Sequence, residues 1–291
     1  MKHNILIKSI IDYNDNLKQL NHSFNLNPRI EIQLLKDFAT PNWRTDSFYE
    51  FLKNNPTARI DYLHTPLNGT EEIDLIDIYD DEIFEVFNQT FRFASEIQAY
   101  TQQQITVVCH YSGSFKRLSS NECMLSNFVL RFARLIHEYP NIRVAIENVI
   151  PITCLGETRE GGFLTDNVEL VKFLRKTLNI EDRLFTVLDT CHAIVTDRVM
   201  TRCGLPSTPL KMFFEANQET IALIHLANVR NLGFGKFEHG VGFTSPEDKI
   251  LLEEIEELYQ LYGNNCDVTI EVHEHDYLNR HEYSATFNAL K

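Results

Sequence analysis

The chain has 291 residues, 43% of them hydrophobic, and a formal net charge of −14. Its length and apolar content suit one barrel-sized domain or two small ones. The charge argues against a protein that coats nucleic acid, because phosphate contacts need clustered Lys and Arg, but it leaves room for an enzyme with a cation-filled cleft, since bound divalent ions are themselves large local positive charges.

No run of about 18 apolar residues occurs, so no membrane span is expected. The stretch Met1–Lys8 carries too little apolar sequence for a signal peptide and reads as a first strand. The cysteines at 109, 123, 154, 191, 203 and 266 form no CxxC pair, which points to reduced thiols and a cytoplasmic setting.

A short apolar run, a polar loop and a helical-period stretch recur along the chain. Strands are predicted at 3–8, 29–35, 58–63, 105–109, 142–147, 184–188, 221–226 and 267–272. Helices are predicted near 13–20, 46–54, 82–103, 121–138, 166–178, 208–219, 246–262 and 279–290. Within 82–103, Phe84, Val86, Phe87, Phe91 and Phe93 make a broad apolar face at helical spacing. Ser245-Pro246-Glu247-Asp248 is a helix start. No Gly-rich phosphate loop follows the first strand, which counts against a doubly wound open sheet, and no Pro/Gly/Ser linker divides the chain. The pattern predicts an α/β protein: a (β/α)8 TIM barrel, one domain over residues 1–291.

In such a barrel the chemistry sits at the C-terminal ends of the strands. The third predicted strand ends in His64, the fourth in His110 and the fifth in Glu147-Asn148. The sixth ends in Asp189 and His192, within Asp189-Thr190-Cys191-His192-Ala193. The seventh delivers His225 and the eighth Glu271. Any one of these is explained by a packed imidazole or a helix-capping carboxylate. So many on one rim would be costly to bury without compensating cations. One divalent ion needs three or four protein ligands, so these residues, with Glu238 and His239 in the next loop, suffice for two or three ions. A two-metal centre suits phosphodiester hydrolysis; a single ion on the same rim suits a proton or hydride shift on a sugar.

The sequence resembles the xylose isomerase-like TIM-barrel superfamily and, within it, the endonuclease IV family of abasic-site endonucleases. The resemblance is carried by Asp189-Thr190-Cys191-His192-Ala193, Ile146-Glu147-Asn148, His110 with Ser112-Gly113-Ser114, Ile224-His225-Leu226, Gly240-Val241-Gly242-Phe243 and Ile270-Glu271. It implies a trinuclear centre, usually of zinc, held by His64, His110, Glu147, Asp189, His192, His225 and Glu271, and hydrolysis of DNA 5′ to an abasic site. The family places an Asp-x-His pair after the seventh strand; here Glu238 and His239 are adjacent and take those roles. The loop at His64-Thr65-Pro66-Leu67-Asn68-Gly69 lacks an aromatic wedge for opening a duplex. An acidic run from Glu71 to Glu85 follows it, and on this rim it would repel a DNA backbone.

The alternative within the same superfamily is a sugar isomerase or epimerase. It would set Glu147, Asp189, His225 and Glu271 around one ion, Mn or Mg as well as Zn, with Glu147 and Glu271 as catalytic acid and base. A barrel that binds a metal or small ligand without turnover is the third reading. For substrate contacts the candidates are Tyr111, beside His110, and the rim cations Lys116, Arg230 and Lys236. Trp43 is expected to pack or to cover the site, and His273 and His275 to shape the pocket.

Overall fold

The computed structural model describes residues 5–9, 29–34, 45–54, 56–68, 71–150, 166–233, 236–274 and 280–290. The expected helix at 13–20, Trp43 and His275 lie outside these residues, as does the side chain of Lys236. Eight strands close a parallel barrel in the order β1 (Ile5–Ser9), β12 (Asp267–Ile270), β9 (Ile221–Leu226), β8 (Leu184–Asp189), β7 (Arg143–Asn148), β6 (Thr106–Tyr111), β3 (Arg59–His64) and β2 (Arg29–Gln33). These match the eight predicted runs. Between them lie α1 (Thr45–Asn54), α2 (Asp81–Thr101), α3 (Phe115–Ser120), α4 (Glu122–Glu138), α5 (Asp166–Leu178), α6 (Thr190–Arg202), α7 (Leu210–Asn217), α8 (Pro246–Tyr262) and α9 (His281–Ala289).

The helices begin where the sequence supplies caps. Asp80 accepts from the amides of Glu82 and Ile83 at the start of α2, whose Phe84, Phe87, Phe91 and Ile97 are buried. Ser245 and Asp248 form a reciprocal capping box at α8, with Pro246 in its first turn. Several elements were not expected, the short helix α3 among them. Residues 190–202 form α6 directly after β8, because the Asp189 carboxylate caps the amide of His192 at 2.8 Å; the β-branched Thr190, Ile194, Val195, Thr196 and Val199 hide that helix from propensity. The loop after β9 is an antiparallel hairpin, β10 (Asn228–Gly233) with β11 (Lys236–Val241). A two-residue ladder, β4 (Leu67–Asn68) with β5 (Glu71–Glu72), follows β3.

Side chains on a strand alternate between its faces, and this alternation builds the site. One face of each strand packs with the helices in the main core. The other turns into the barrel, where Leu6, Tyr62, Val108, Ala145, Val187 and Leu223 form a separate apolar layer. Two residues further along the same six strands stand Lys8, His64, His110, Glu147, Asp189 and His225. An apolar floor therefore supports a ring of charge and imidazole. At the opposite, N-terminal end, Arg29 reaches Asp61 at 2.8 Å and both oxygens of Asp267 at 2.6 and 2.8 Å, and Tyr62 donates to Asp267 at 2.9 Å.

Candidate metal centre

Glu147 stands at the middle of the ring. Its Oε2 lies 3.2 Å from Nε2 of His64, Nε2 of His110 and Nδ1 of His225, and its Oε1 lies 3.4 Å from Nδ1 of His192. Glu271, just past β12, brings its Oε2 to 2.5 Å from Nδ1 of His225. Asp189 closes the group through Oδ2, 3.7 Å from Nδ1 of His192. His64, His110, Glu147, Asp189 and His225 are all at most 2% exposed.

The surrounding hydrogen bonds fix which atom of the His64 and His225 rings faces inward. Nε2 of His225 donates to Oε2 of Glu31 at 3.0 Å, and the same oxygen accepts from Thr269 at 2.7 Å. Nδ1 of His64 donates to the carbonyl of Thr65 at 3.1 Å, and Nδ1 of His192 to the carbonyl of Asn148 at 2.9 Å. Asn148 and Asp189 are tied across β7 and β8 by paired side-chain to backbone bonds of 2.7 and 3.1 Å. In the neutral rings of His64 and His225 the other nitrogen therefore presents a lone pair toward carboxylate oxygens. Nδ1 of His225 and Oε2 of Glu271 are buried without a hydrogen-bond partner among the described residues. Converging lone pairs of this kind call for a proton or a cation between them.

The charges respond accordingly. Burial pulls the His225 imidazole toward neutrality, but Glu147, Glu271 and Glu31 outweigh it and hold the ring well above the usual imidazole range. Burial also works against ionised Glu147 and Glu271, and is overcome by His225 with His110 for the first and by His225 with Lys8 for the second, so both carboxyls sit well below the usual range. Asp189 is raised, by burial and by the charges of Glu147 and Glu271. A divalent ion would satisfy the same atoms that hold a proton on His225. The donor sets fit one: Glu147, Asp189, His225 and Glu271 each offer an atom within 4.8 Å of the others, as do His64, His110 and Glu147, or Glu31, His64 and His225, or Asp189, Cys191 and His192.

No protein-family model and no curated protein matches the sequence. Solved structures do. A D-tagatose 3-epimerase-like protein is 14% identical over 99% of this chain and 97% of its own, with a TM-score of 0.61. An IolI protein with a bound zinc atom is 13% identical over 99% and 95%, at 0.57. A D-allulose 3-epimerase from Methylomonas sp., in complex with D-allulose, is 13% identical over 99% and 90%, at 0.56. The chain has the fold of these barrels.

On that barrel the predicted rim residues do not all converge. His64, His110, Glu147, Asp189, His192, His225 and Glu271 meet at the centre. Glu238 turns away: its carboxylate pairs with Arg230 across the hairpin at 2.8 Å, both half exposed. The reason is alternation, because the next residue, His239, lies on the other side of β11, with its ring 5.9 Å from His192 and 5.3 Å from His273. Tyr111 points out of the barrel, fully buried with its ring 6.3 Å from Phe128, on the opposite face of β6 from His110. Lys116 is exposed on α3. Two residues of the centre were missed by sequence reasoning, Lys8 on β1 and Glu31 on β2. Lys8 contacts Oε1 of Glu271 and lies 3.8 Å from Oε1 of Glu31. The signal for Glu31 was a carboxylate flanked by Ile30 and Ile32 in a strand that is otherwise apolar.

Among the described residues, no helix is long and apolar enough to cross a membrane.

Proposed function

We propose that the chain is a divalent-metal-dependent sugar epimerase or isomerase of the xylose isomerase-like superfamily, acting at a carbon beside a carbonyl. The observation that carries this reading is the set of buried Glu147, Asp189 and His225 with part-buried Glu271, on strand ends of a barrel that is similar over its whole length to a D-tagatose 3-epimerase-like protein and a D-allulose 3-epimerase. One bound divalent ion would polarise the carbonyl and a neighbouring hydroxyl of a keto sugar. Glu147 and Glu271 turn Oε2 toward Nδ1 of His225, which leaves Oε1 of Glu147 beside His192 and Oε1 of Glu271 beside Lys8 as the oxygens for proton work. One Glu, ionised, takes the proton from the carbon, and the other, carrying a proton, gives one back. His64, His110 and His192 meet substrate hydroxyls, and Glu31 keeps the His225 ring in place.

The reading is tested with a panel of ketohexoses and ketopentoses in D2O, with Mn2+, Mg2+, Co2+ or Zn2+ present. Deuterium should enter at the carbon beside the carbonyl, and Glu147→Gln or Glu271→Gln should cut turnover by about 10²–10⁴-fold. No turnover and no deuterium uptake with any sugar and metal would rule the reading out.

The groups His64, His110, Glu147 and Asp189, Cys191, His192 favour a second reading, a polynuclear phosphodiesterase of the endonuclease IV kind. It requires two or more ions per chain and metal-dependent nicking of a duplex at an abasic site.

A further inference from the structure

Among the described residues, Lys8 is the one Lys or Arg in the ring of inward side chains. It is the sixth inward residue of the ring, two positions past Leu6 of the apolar floor, and it lies in register with Glu31 on β2. Its backbone is pinned, because the carbonyl of Lys8 accepts from Nη1 of Arg280 at 2.9 Å, just ahead of α9. Its side chain is only 15% exposed. The ammonium contacts Oε1 of Glu271 and stands 3.8 Å from Oε1 of Glu31, a buried oxygen without a hydrogen-bond partner among the described residues.

Glu271 is thus shared. Its Oε2 faces Nδ1 of His225 on the side of the donor set, and its Oε1 faces Lys8. A carboxylate free on both oxygens can chelate an ion with both. We propose that Lys8 is the positioning residue of Glu271: it holds Oε1, so that an ion in the cluster takes Oε2 alone. The inference rests on the metal reading above. The consequence is a weaker grip on the ion and a Glu271 that keeps one oxygen outside the coordination. Lys8 is a cation built into a site for cations, and it opposes any ion that binds beside it.

The sign of the effect separates this role from simple support. If Lys8 served only to neutralise buried carboxylates, removing its charge would leave the ligands repelling one another and misplaced, and metal binding would weaken. If it competes for Glu271, removing the charge strengthens binding. The probe is MnCl2, titrated into metal-free protein and followed by the electron paramagnetic resonance of free Mn2+. Lys8→Gln, which keeps a donor for Oε1 without the charge, should bind Mn2+ roughly tenfold or more tightly than wild type, given the loss of one positive charge at short range in a partly buried site. Lys8→Arg, which keeps the charge, should stay within about threefold of wild type on the same electrostatic ground. Circular dichroism and a melt of each metal-free variant establish that it is folded. Equal or weaker binding by Lys8→Gln overturns the inference and leaves the metal reading standing. A Lys8→Arg variant that binds Mn2+ roughly tenfold or more tightly than wild type also overturns it, and this outcome covers the case in which Lys8→Gln does not fold. Wild-type protein that binds no Mn2+, Co2+ or Zn2+ overturns both. None of these measurements depends on finding the sugar.

Discussion

Glu31 shows how much of the centre is decided one residue away from it. It is wholly buried, accepts a hydrogen bond from the far nitrogen of His225 and a second from Thr269, and so sets which nitrogen of the ring faces the donor set. Partners of this kind govern metal affinity by 10- to 100-fold. Glu31→Gln should therefore weaken Mn2+ binding by about tenfold, the opposite sign from Lys8→Gln, while the metal-free fold melts cooperatively; unchanged affinity in calorimetry would show that His225 needs no such anchor. The inward set was legible wherever a polar residue closes an apolar run, as at Val107-Val108-Cys109-His110 or Ile224-His225. Lys8 and Glu31 were not, for different reasons. Lys8 looks like the ordinary charged end of a first strand, and only register against β2 and β12 reveals where its ammonium goes. Glu31 lies in mid-strand, where a carboxylate reads as an exposed face unless the strand is known to be buried on both sides.

At the scale of elements, the hairpin β10–β11 and helix α6 complete the wall that the eight strands leave open above the centre. Gly240 lies near the end of β11, where the ladder shifts register against Asn228 and Val229; its φ is +71°, and His273 donates its amide to the Gly240 carbonyl at 2.7 Å. A Cβ at this position would stand 3.1 Å from the His273 ring. Gly240→Ala combines an unfavourable left-handed conformation with that contact and should cost about 1–3 kcal/mol in chemical denaturation; a loss below a few tenths would mean the hairpin end is free to shift. Neither element was read from the sequence. Helix α6 was concealed by its β-branched residues, and its start becomes visible only once Asp189 is seen as a cap. The hairpin has no Asn-Gly or Asp-Gly turn to announce it. Glu238 and His239 are adjacent in the chain, and a strand sends adjacent side chains to opposite sides, so a loop reading could place both at the centre where the strand admits one.

For the molecule as a whole, the fold was the most legible level, since each βα unit repeats its own signal and eight independent signals agree. Closure is secured at the far end by Arg29, which joins β2 to β3 through Asp61 and to β12 through Asp267. Arg29→Met removes two charge-assisted contacts and leaves both acids part-buried, so the protein should lose about 2–4 kcal/mol of unfolding free energy; a melt unchanged within error would show the barrel closes on backbone pairing alone. The apolar floor of Leu6, Tyr62, Val108, Ala145, Val187 and Leu223 separates this clamp from the ring of charge and imidazole. That floor makes the barrel a blind well. Among the described residues it closes the barrel below the ring, so whatever reaches Glu147 comes and goes on the C-terminal side of the strands, where the rings of His192, His239 and His273 cluster, and a spent molecule must leave by that side before the next one can descend.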